Sequence, residues 1–298
     1  MFKHQISQIY RRIEQNLDSR ENPKPFSLEW FLLGASHLYR QGTAFRAELY
    51  EKRIFKKHKL PCTVISIGNL VAGGTGKTPM AIFLASHLVQ MGRRPVVVSR
   101  GYKGQYNKES LVVSDGQNVF CTADEAGDEP VMMAQRKRFP VVIGKQRAAA
   151  GQTAIETFGC DVIVLDDAFQ HLKLERDLDL VLADWSAPFG NRRCLPAGRL
   201  REPPASAIAR ASAVILTRCP DGAEPDQHAL CLDRSLAGQP CFTTQHRPRV
   251  MEFISKSRRK KPLKMELADY AGGRAILFSG IAKNREFYKT VEKAGISI

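Results

Sequence analysis

Gly73, Gly74, Thr75, Gly76, Lys77 and Thr78 follow an apolar run at 63–67 and precede an apolar helical pattern at 79–91. Strand, glycine-rich loop, Gly-Lys-Thr and helix, in that order, make up the physical recipe for holding nucleotide phosphates. Glycines let the loop curl so that backbone N–H groups converge on an anion. Lys77 can reach β- and γ-phosphates, and the Thr78 hydroxyl can hold Mg²⁺. One position departs from G-x-x-x-x-G-K-[ST], because the first glycine falls where the chain has Val71. A chance Gly-Lys-Thr in an ordinary turn is the competing reading, and the order of the flanking elements weighs against it.

Three further clusters could do chemistry. The apolar run 162–165 ends in Asp166 and Asp167. A carboxylate at the end of such a strand can organise Mg²⁺ beside a phosphate loop. Adjacent side chains point in different directions, so the two aspartates are not expected to share one role. The acidic stretch Asp124-Glu125-Ala126-Gly127-Asp128-Glu129-Pro130 stands in an otherwise basic chain. Phosphoryl transfer to a hydroxyl needs a carboxylate to position and deprotonate it, and Asp128 and Glu129 are candidates. A favourable acidic first turn of a helix explains the same residues equally well. The proline- and glycine-rich stretch 188–204 carries arginines able to grip phosphate in bidentate fashion, or to sit solvated on a rigid surface loop.

Elements of two kinds must position these groups. From residue 61, strand-like runs at 63–67, Pro95–Ser99, 141–144, 161–165, 178–183 and Ala213–Thr217 alternate with helix-like stretches at 79–91 and Arg147–Phe158. Short continuous apolar strands separated by helices predict a parallel sheet covered on both faces. Stretches 111–113 and 119–121 flank Asp115-Gly116 and predict an inserted hairpin. Residues 220–240 read as a connection, 241–253 as extended chain and 256–261 as a basic loop. A strand at 275–279, a helix at 284–294 and the start of another strand at 296–298 complete the pattern. Such a βα unit needs a neighbouring strand to bury its helix, so this last part is expected to be incomplete.

Upstream, 26–57 reads as one long helix with Leu28, Phe31, Ala35, Leu38, Gly42, Phe45 and Leu49 at steps of three and four. Its far end is basic. The pattern suits an anionic membrane surface, and it suits packing on the next domain; both readings stay open.

The net charge of +15 and pI near 9.7 favour anionic partners: nucleotide, phospholipid headgroup, phosphorylated substrate or nucleic acid. Seven scattered cysteines without a C-x-x-C pair suggest neither a zinc site nor a disulfide framework, and point to a reducing, cytoplasmic compartment. No signal peptide is expected in the polar residues 1–25, and no apolar run reaches the roughly 18 residues of a spanning helix.

In this order the pieces resemble the tetraacyldisaccharide 4′-kinase family. The matching segments are Gly68-Asn69-Leu70 with 73–79, Ser99-Arg100-Gly101-Tyr102, Gly127-Asp128-Glu129-Pro130 and Asp166-Asp167 with Gln170-His171. They continue through Phe189-Gly190-Asn191, Leu195-Pro196-Ala197-Gly198, Leu200-Arg201-Glu202-Pro203 and Ser279-Gly280-Ile281. Ala168 stands where the family usually has glycine, and Arg199 where it usually has proline. The resemblance implies an α/β fold: a P-loop NTPase-like, mostly parallel sheet flanked by helices. A membrane-associating helical segment (1–60) would precede the kinase lobe (61–240), and a linker strand with a smaller, incomplete α/β lobe (241–298) would follow it. It implies transfer of the ATP γ-phosphate, with Mg²⁺, to the 4′-hydroxyl of a tetraacylated glucosamine disaccharide 1-phosphate, on the cytoplasmic face of the inner membrane.

Residue by residue, the resemblance makes Asp128 the catalytic carboxylate, with Lys77 and Glu129 beside it. Asp166 and Asp167 would serve metal and substrate, and Arg201, Glu202, Gln170 and His171 would serve the substrate. The family usually carries an Asp-His-His segment after its Ser-Gly-Ile block; this chain stops before it, which gives the expectation that ATP binding is kept and turnover impaired.

Two other functions fit parts of the sequence. A different P-loop enzyme, such as a GTPase, should show Asn-Lys-x-Asp after a late strand, where this chain has Leu216-Thr217-Arg218-Cys219-Pro220-Asp221. A non-catalytic nucleic-acid binder would use the basic run 256–261, which lacks interleaved aromatics for stacking, so no nucleic acid is expected.

Overall fold

The computed structural model describes residues 17, 19, 21–224, 238–245, 266–278 and 284–298. The basic run 256–261, most of the connection 220–240 and most of the extended stretch 241–253 lie outside them, as does Cys231. The described cysteines form no disulfide with one another.

Eight strands form one sheet: β1 (Thr63–Asn69), β2 (Pro95–Ser99), β3 (Leu111–Ser114), β4 (Val141–Ile143), β5 (Val162–Asp166), β6 (Leu178–Asp184), β7 (Ala213–Thr217) and β8 (Cys241–Thr243). The helices are α1 (Leu28–Glu51), α2 (Lys77–Gln90), α3 (Ala123–Ala126), α4 (Asp128–Ala134), α5 (Arg147–Phe158), α6 (Pro204–Ile208) and α7 (Asn284–Lys293). The spatial order is β3-β4-β2-β5-β1-β6-β7-β8, parallel throughout except for β3 against β4. β2, β5 and β7 are buried along their whole length, as continuous apolar runs in a two-face-covered sheet require.

Strand alternation sorts the core. Ile65, Ile67, Val97, Val164 and Ile143 pack with Ala81 and Ala85 of α2. Val64, Val96, Val98, Ile163 and Leu165 face the other way, onto Ala150 and Ala154 of α5. A third cluster joins Leu70, Phe169, Val181, Val214, Leu216 and Leu200 to Ile208 of α6.

Register brings the strand ends together. Ile67 of β1 lies opposite Asp166 of β5, Asn69 opposite Leu182 of β6, and Asp184 opposite Thr217 of β7. In open α/β sheets, ligands bind outside this carboxyl edge.

Several expectations are corrected. The hairpin at 111–121 shrinks to one antiparallel bridge, Ser114 to Val119. Its first strand instead becomes an edge strand on β4, because main-chain partners are available there and the Asp115 carboxylate closes the turn on Gln117 N–H and Asn118 N–H. The linker strand near 241 is β8 of the main sheet, paired with β7. The strand at 275–279 is absent from its described part, 275–278; a single bridge just before it joins Arg274 to Ser297. α1 stops at Glu51, six residues short of the helical pattern's end.

The chain forms two compact units, 1–244 and 245–298. In the second, Val291 of α7 and Ile296 are buried and Gly295 N–H, Ser297 N–H and Ala275 N–H close the turn. No described helix is long and apolar enough to cross a membrane.

α1 shows which face packs. Its Ser36 hydroxyl donates to Cys194 O at 2.7 Å, and its Tyr39 hydroxyl to Arg201 O at 3.0 Å. Ser36 and Tyr50 are buried on this side. The stripe singled out from the sequence points elsewhere: Phe31, Leu38 and Phe45 are 59%, 71% and 62% exposed within the described residues.

Candidate active site

The loop after β1 owes its shape to a buried side chain below it. Asn69 Nδ2 donates to Val71 O at 2.5 Å and Thr75 Oγ1 at 2.9 Å, with a longer contact to Gly73 O at 3.4 Å. Gly73 (φ 138°) and Gly76 (φ 85°) take conformations that side chains resist. Among the described residues, the backbone N–H groups of residues 73–78 find no protein acceptor. They crown a 14-residue helix, α2, whose N-terminus favours negative charge. Val71, the departure from the motif, earns its place differently: Ala72 N–H donates to Arg199 O and Arg201 N–H to Leu70 O, so the loop's first half is zipped to the 193–201 segment.

Lys77 and Thr78 open α2 and separate the two aspartates. Thr78 Oγ1 stands 3.4 Å from Asp166 Oδ2 and 3.3 Å from Glu129 Oε2. Asp166 is buried, and its Oδ1 has no hydrogen-bond partner among the described residues. Burial above all, then Glu129 and Asp167, push its carboxyl up to about 7. Asp167 turns away into the left-handed region (φ 50°). Its carboxylate takes a two-pronged contact from Arg201, at 2.8 and 3.3 Å, and lies 3.8 Å from Lys77 Nζ. Burial draws the Lys77 ammonium below its usual pKa, against the pull of Asp167.

The donor set answers the question of Mg²⁺. A hydroxyl, a buried carboxylate with an orphaned oxygen and a second carboxylate in reach suit a hard cation that completes its shell with phosphate oxygens and water. No described group of three His, Cys, Asp or Glu side chains could hold a metal unaided. Thr78 and Asp166 therefore fit Mg²⁺, whereas Asp167 is occupied by two cations.

The acidic segment divides in the same way. Glu125 is spent on a capping box with Thr122 at the start of α3. Gly127 (φ 90°) then turns the chain so that Asp128 and Glu129 open α4. A Cβ on Gly127 would meet Tyr102 O at 2.5 Å, so the exit of β2 packs directly beneath this turn. Asp128 is exposed at the carboxyl edge, next to Glu129, which reaches Thr78.

Gln170 joins the loops under the site. Its Nε2 donates to Asn69 O at 2.9 Å and Glu202 Oε1 at 3.1 Å, and its Oε1 accepts from Arg201. Glu202 is buried and also bonded to Arg210. Gln170 and Glu202 are thus interior braces, with Arg201 as their outward member. His171 is half-buried. Burial and the nearby Arg147 and Arg176 lower its pKa to about 4, so it is neutral at pH 7. Gly68 makes the close approach possible: a Cβ there would meet Phe169 Cβ at 2.4 Å. Ala168 is fully buried in the core, which absorbs the methyl that the family's usual glycine lacks.

Sequence reasoning missed three residues. Asn69 is visible only as part of a matching segment. Arg147 is buried at the first turn of α5, with Nε unpartnered among the described residues and Asp166 and Asp167 near enough to act on its charge. A cation at a helix N-terminus opposes the macrodipole, and that is the signal that could have found it. Arg218 lies after β7 and bonds to the phosphate loop.

Known proteins are similar to this chain. The sequence profile of LpxK, tetraacyldisaccharide-1-P 4′-kinase, matches residues 28–298. A tetraacyldisaccharide 4′-kinase of Syntrophus aciditrophicus is 40% identical, over 97% of this chain and 77% of the relative. One from Geobacter metallireducens is 41% identical, over 87% of this chain and 73% of the relative. A crystal structure of LpxK from Aquifex aeolicus in complex with ATP superposes with a TM-score of 0.73 at 35% identity, covering 91% of this chain and 80% of that one.

Proposed function

The chain belongs to the tetraacyldisaccharide-1-P 4′-kinase family, and from that premise we propose how its residues divide the work. The enzyme uses ATP to phosphorylate the 4′-hydroxyl of tetraacyldisaccharide 1-phosphate in lipid A biosynthesis. The single observation that carries the residue assignment is the split between Asp166 and Asp167. One carboxylate is buried against Thr78 with an open oxygen, and its neighbour is held by Arg201 and Lys77.

The unpartnered N–H groups of 73–78 and the Lys77 ammonium receive the ATP phosphates. Thr78 and Asp166 would hold Mg²⁺, with Glu129 in reach, and what it would supply there is neutralisation of charge on the transferred phosphoryl group. Asp128, exposed beside Glu129, orients the acceptor hydroxyl and takes its proton. Arg201 and Asp167 form a charged pair at the lip, where Arg201 can exchange its carboxylate for a substrate phosphate. Gln170 and Glu202 keep that lip in register with the loop. The exposed Phe31, Leu38 and Phe45 stripe of α1 rests on the cytoplasmic face of the inner membrane. The same helix touches the 194–201 segment, which supports a membrane surface, with its acylated substrate, lying beside the site.

The test is transfer of radiolabel from ATP to tetraacyldisaccharide 1-phosphate by the parent, Lys77→Ala and Asp128→Ala. Asp128→Ala should bind ATP normally and lose roughly 10²- to 10⁴-fold in kcat. Equal transfer by all three proteins would refute the assignment.

A further inference from the structure

Arg218 belongs to none of the roles above, yet it is bonded to the phosphate loop. It follows β7 with φ 59°, a left-handed conformation that a non-glycine residue resists and that persists only where its surroundings impose it. Those surroundings are explicit. Trp185 N–H donates to Thr217 O, the Thr217 hydroxyl to Ala183 O, and Cys219 N–H to Thr244 O. The resulting bend carries the guanidinium back across the carboxyl edge. Nη1 donates to Gly74 O at 3.0 Å, and Nη2 pairs with the Asp184 carboxylate. Asp184 Oδ1 is itself held by Ser186 N–H at 3.0 Å and the Ser186 hydroxyl at 2.8 Å.

The consequence follows from peptide geometry. In a trans peptide the C=O of one residue and the N–H of the next point in opposite directions. Arg218 pins the Gly74 carbonyl, so it also orients Thr75 N–H away from itself, and that donor is one of those left without a protein acceptor among the described residues. A glycine peptide between Gly73 (φ 138°) and Gly76 (φ 85°) would otherwise flip readily. Asn69 restrains the loop from beneath and Arg218 restrains it from the β7 side.

We propose that Arg218, aimed by Asp184, is a positioning residue that presets the Gly74–Thr75 peptide of the phosphate loop for ATP. The proposal rests on the reading that loop 73–78 carries ATP. It places the cost of losing Arg218 in nucleotide binding, not in lipid binding or in the stability of the fold.

The experiment measures ATP affinity calorimetrically on the full chain without lipid, together with steady-state kinetics and thermal melting. Arg218→Ala should weaken ATP roughly tenfold, the value of one charge-assisted hydrogen bond, and raise KM for ATP by a similar factor. KM for the lipid and Tm should stay at parental values, and kcat at saturating ATP within about twofold. Arg218→Lys should fold and keep most of the defect, because an ammonium lacks the fork that serves two acceptors. Asp184→Asn should fall between Arg218→Ala and the parent. Parental ATP affinity in Arg218→Ala overturns the proposal, and so does a lowered Tm with ATP and lipid KM rising together. Lys77→Ala serves as the reference: if it also binds ATP like the parent, the failure lies in the phosphate-loop reading, and the Arg218 proposal falls with it.

Discussion

The phosphate loop and helix α1 each leave something unsatisfied, and the two leftovers are opposite in kind. At the loop, backbone donors from 73–78 find no protein acceptor among the described residues, while Asn69, Gln170 and Arg218 restrain the loop from around it. On α1, the polar and small side packs through Ser36 and Tyr39, and the large apolar residues Phe31, Leu38 and Phe45 face outward. The first leftover attracts an anion held by hydrogen bonds; the second attracts an apolar surface. A kinase whose substrates are a nucleotide and an acylated sugar needs both, and here one segment, 194–201, touches each.

The sharpest way to break the comparison is to remove the loop's charge. Lys77→Ala should lower kcat/KM by roughly 10³-fold, as loss of one focused transition-state contact does, without changing vesicle binding. A vesicle-binding defect of similar size would show that the regions are not separable. Next comes the apolar leftover. Replacing Phe31, Leu38 and Phe45 together by serine should weaken sedimentation with anionic vesicles by roughly 10²-fold, since each large side chain, partly buried in the headgroup boundary, contributes about 1 kcal/mol of the roughly 1.5–3 kcal/mol that full burial gives. Turnover of detergent-dispersed substrate should persist; undiminished sedimentation would remove α1 from the membrane contact.

A smaller effect is expected where the loop meets its support. Gly68→Ala must push Phe169 aside, costing about 1–3 kcal/mol of stability in a melt, with α1-dependent vesicle binding intact. The smallest effect is that of pH. The folded pKa of His171, about 4, lies below its unfolded value near 6.5, so the unfolded chain binds more protons between those limits. Its contribution is present above about pH 6.5 and lost as pH falls through about 4. His171→Gln should therefore lose fewer degrees of Tm than the parent between pH 7 and pH 5.

Much of this was legible beforehand. The parallel sheet, the order of its strands and helices and the loop that ends β1 follow from apolar runs of strand length broken by glycine and by helical periodicity. The α1 stripe was legible as a pattern but not as a direction, because periodicity identifies an apolar face without saying whether protein covers it. The hairpin at 111–121 shrinks to one bridge, and the strand expected from 275 is missing over 275–278, for a related reason. Local propensity proposes a strand, and the availability of a neighbour decides whether its hydrogen bonds are made. Matching segments alone mark Gln170, Glu202 and His171 as substrate contacts; the structure adds that Gln170 and Glu202 brace the loops under the site and that His171 is a neutral, half-buried imidazole.

By itself the sequence determined the class of chemistry. Residue types at short spacing — glycines before Lys77-Thr78, carboxylates at strand ends, an apolar stripe every three or four residues — set which groups exist and which local shapes they can take. Only the tertiary structure decided what each group does, because that depends on partners roughly 30 to 170 residues away. It separated Asp166 from Asp167 by burying one against Thr78 and giving the other to Arg201. It also brought Arg218 back to a loop 144 residues earlier in the chain. Backbone dihedrals are local and can be read locally; desolvation and charge pairing act through space, and only the fold specifies that space.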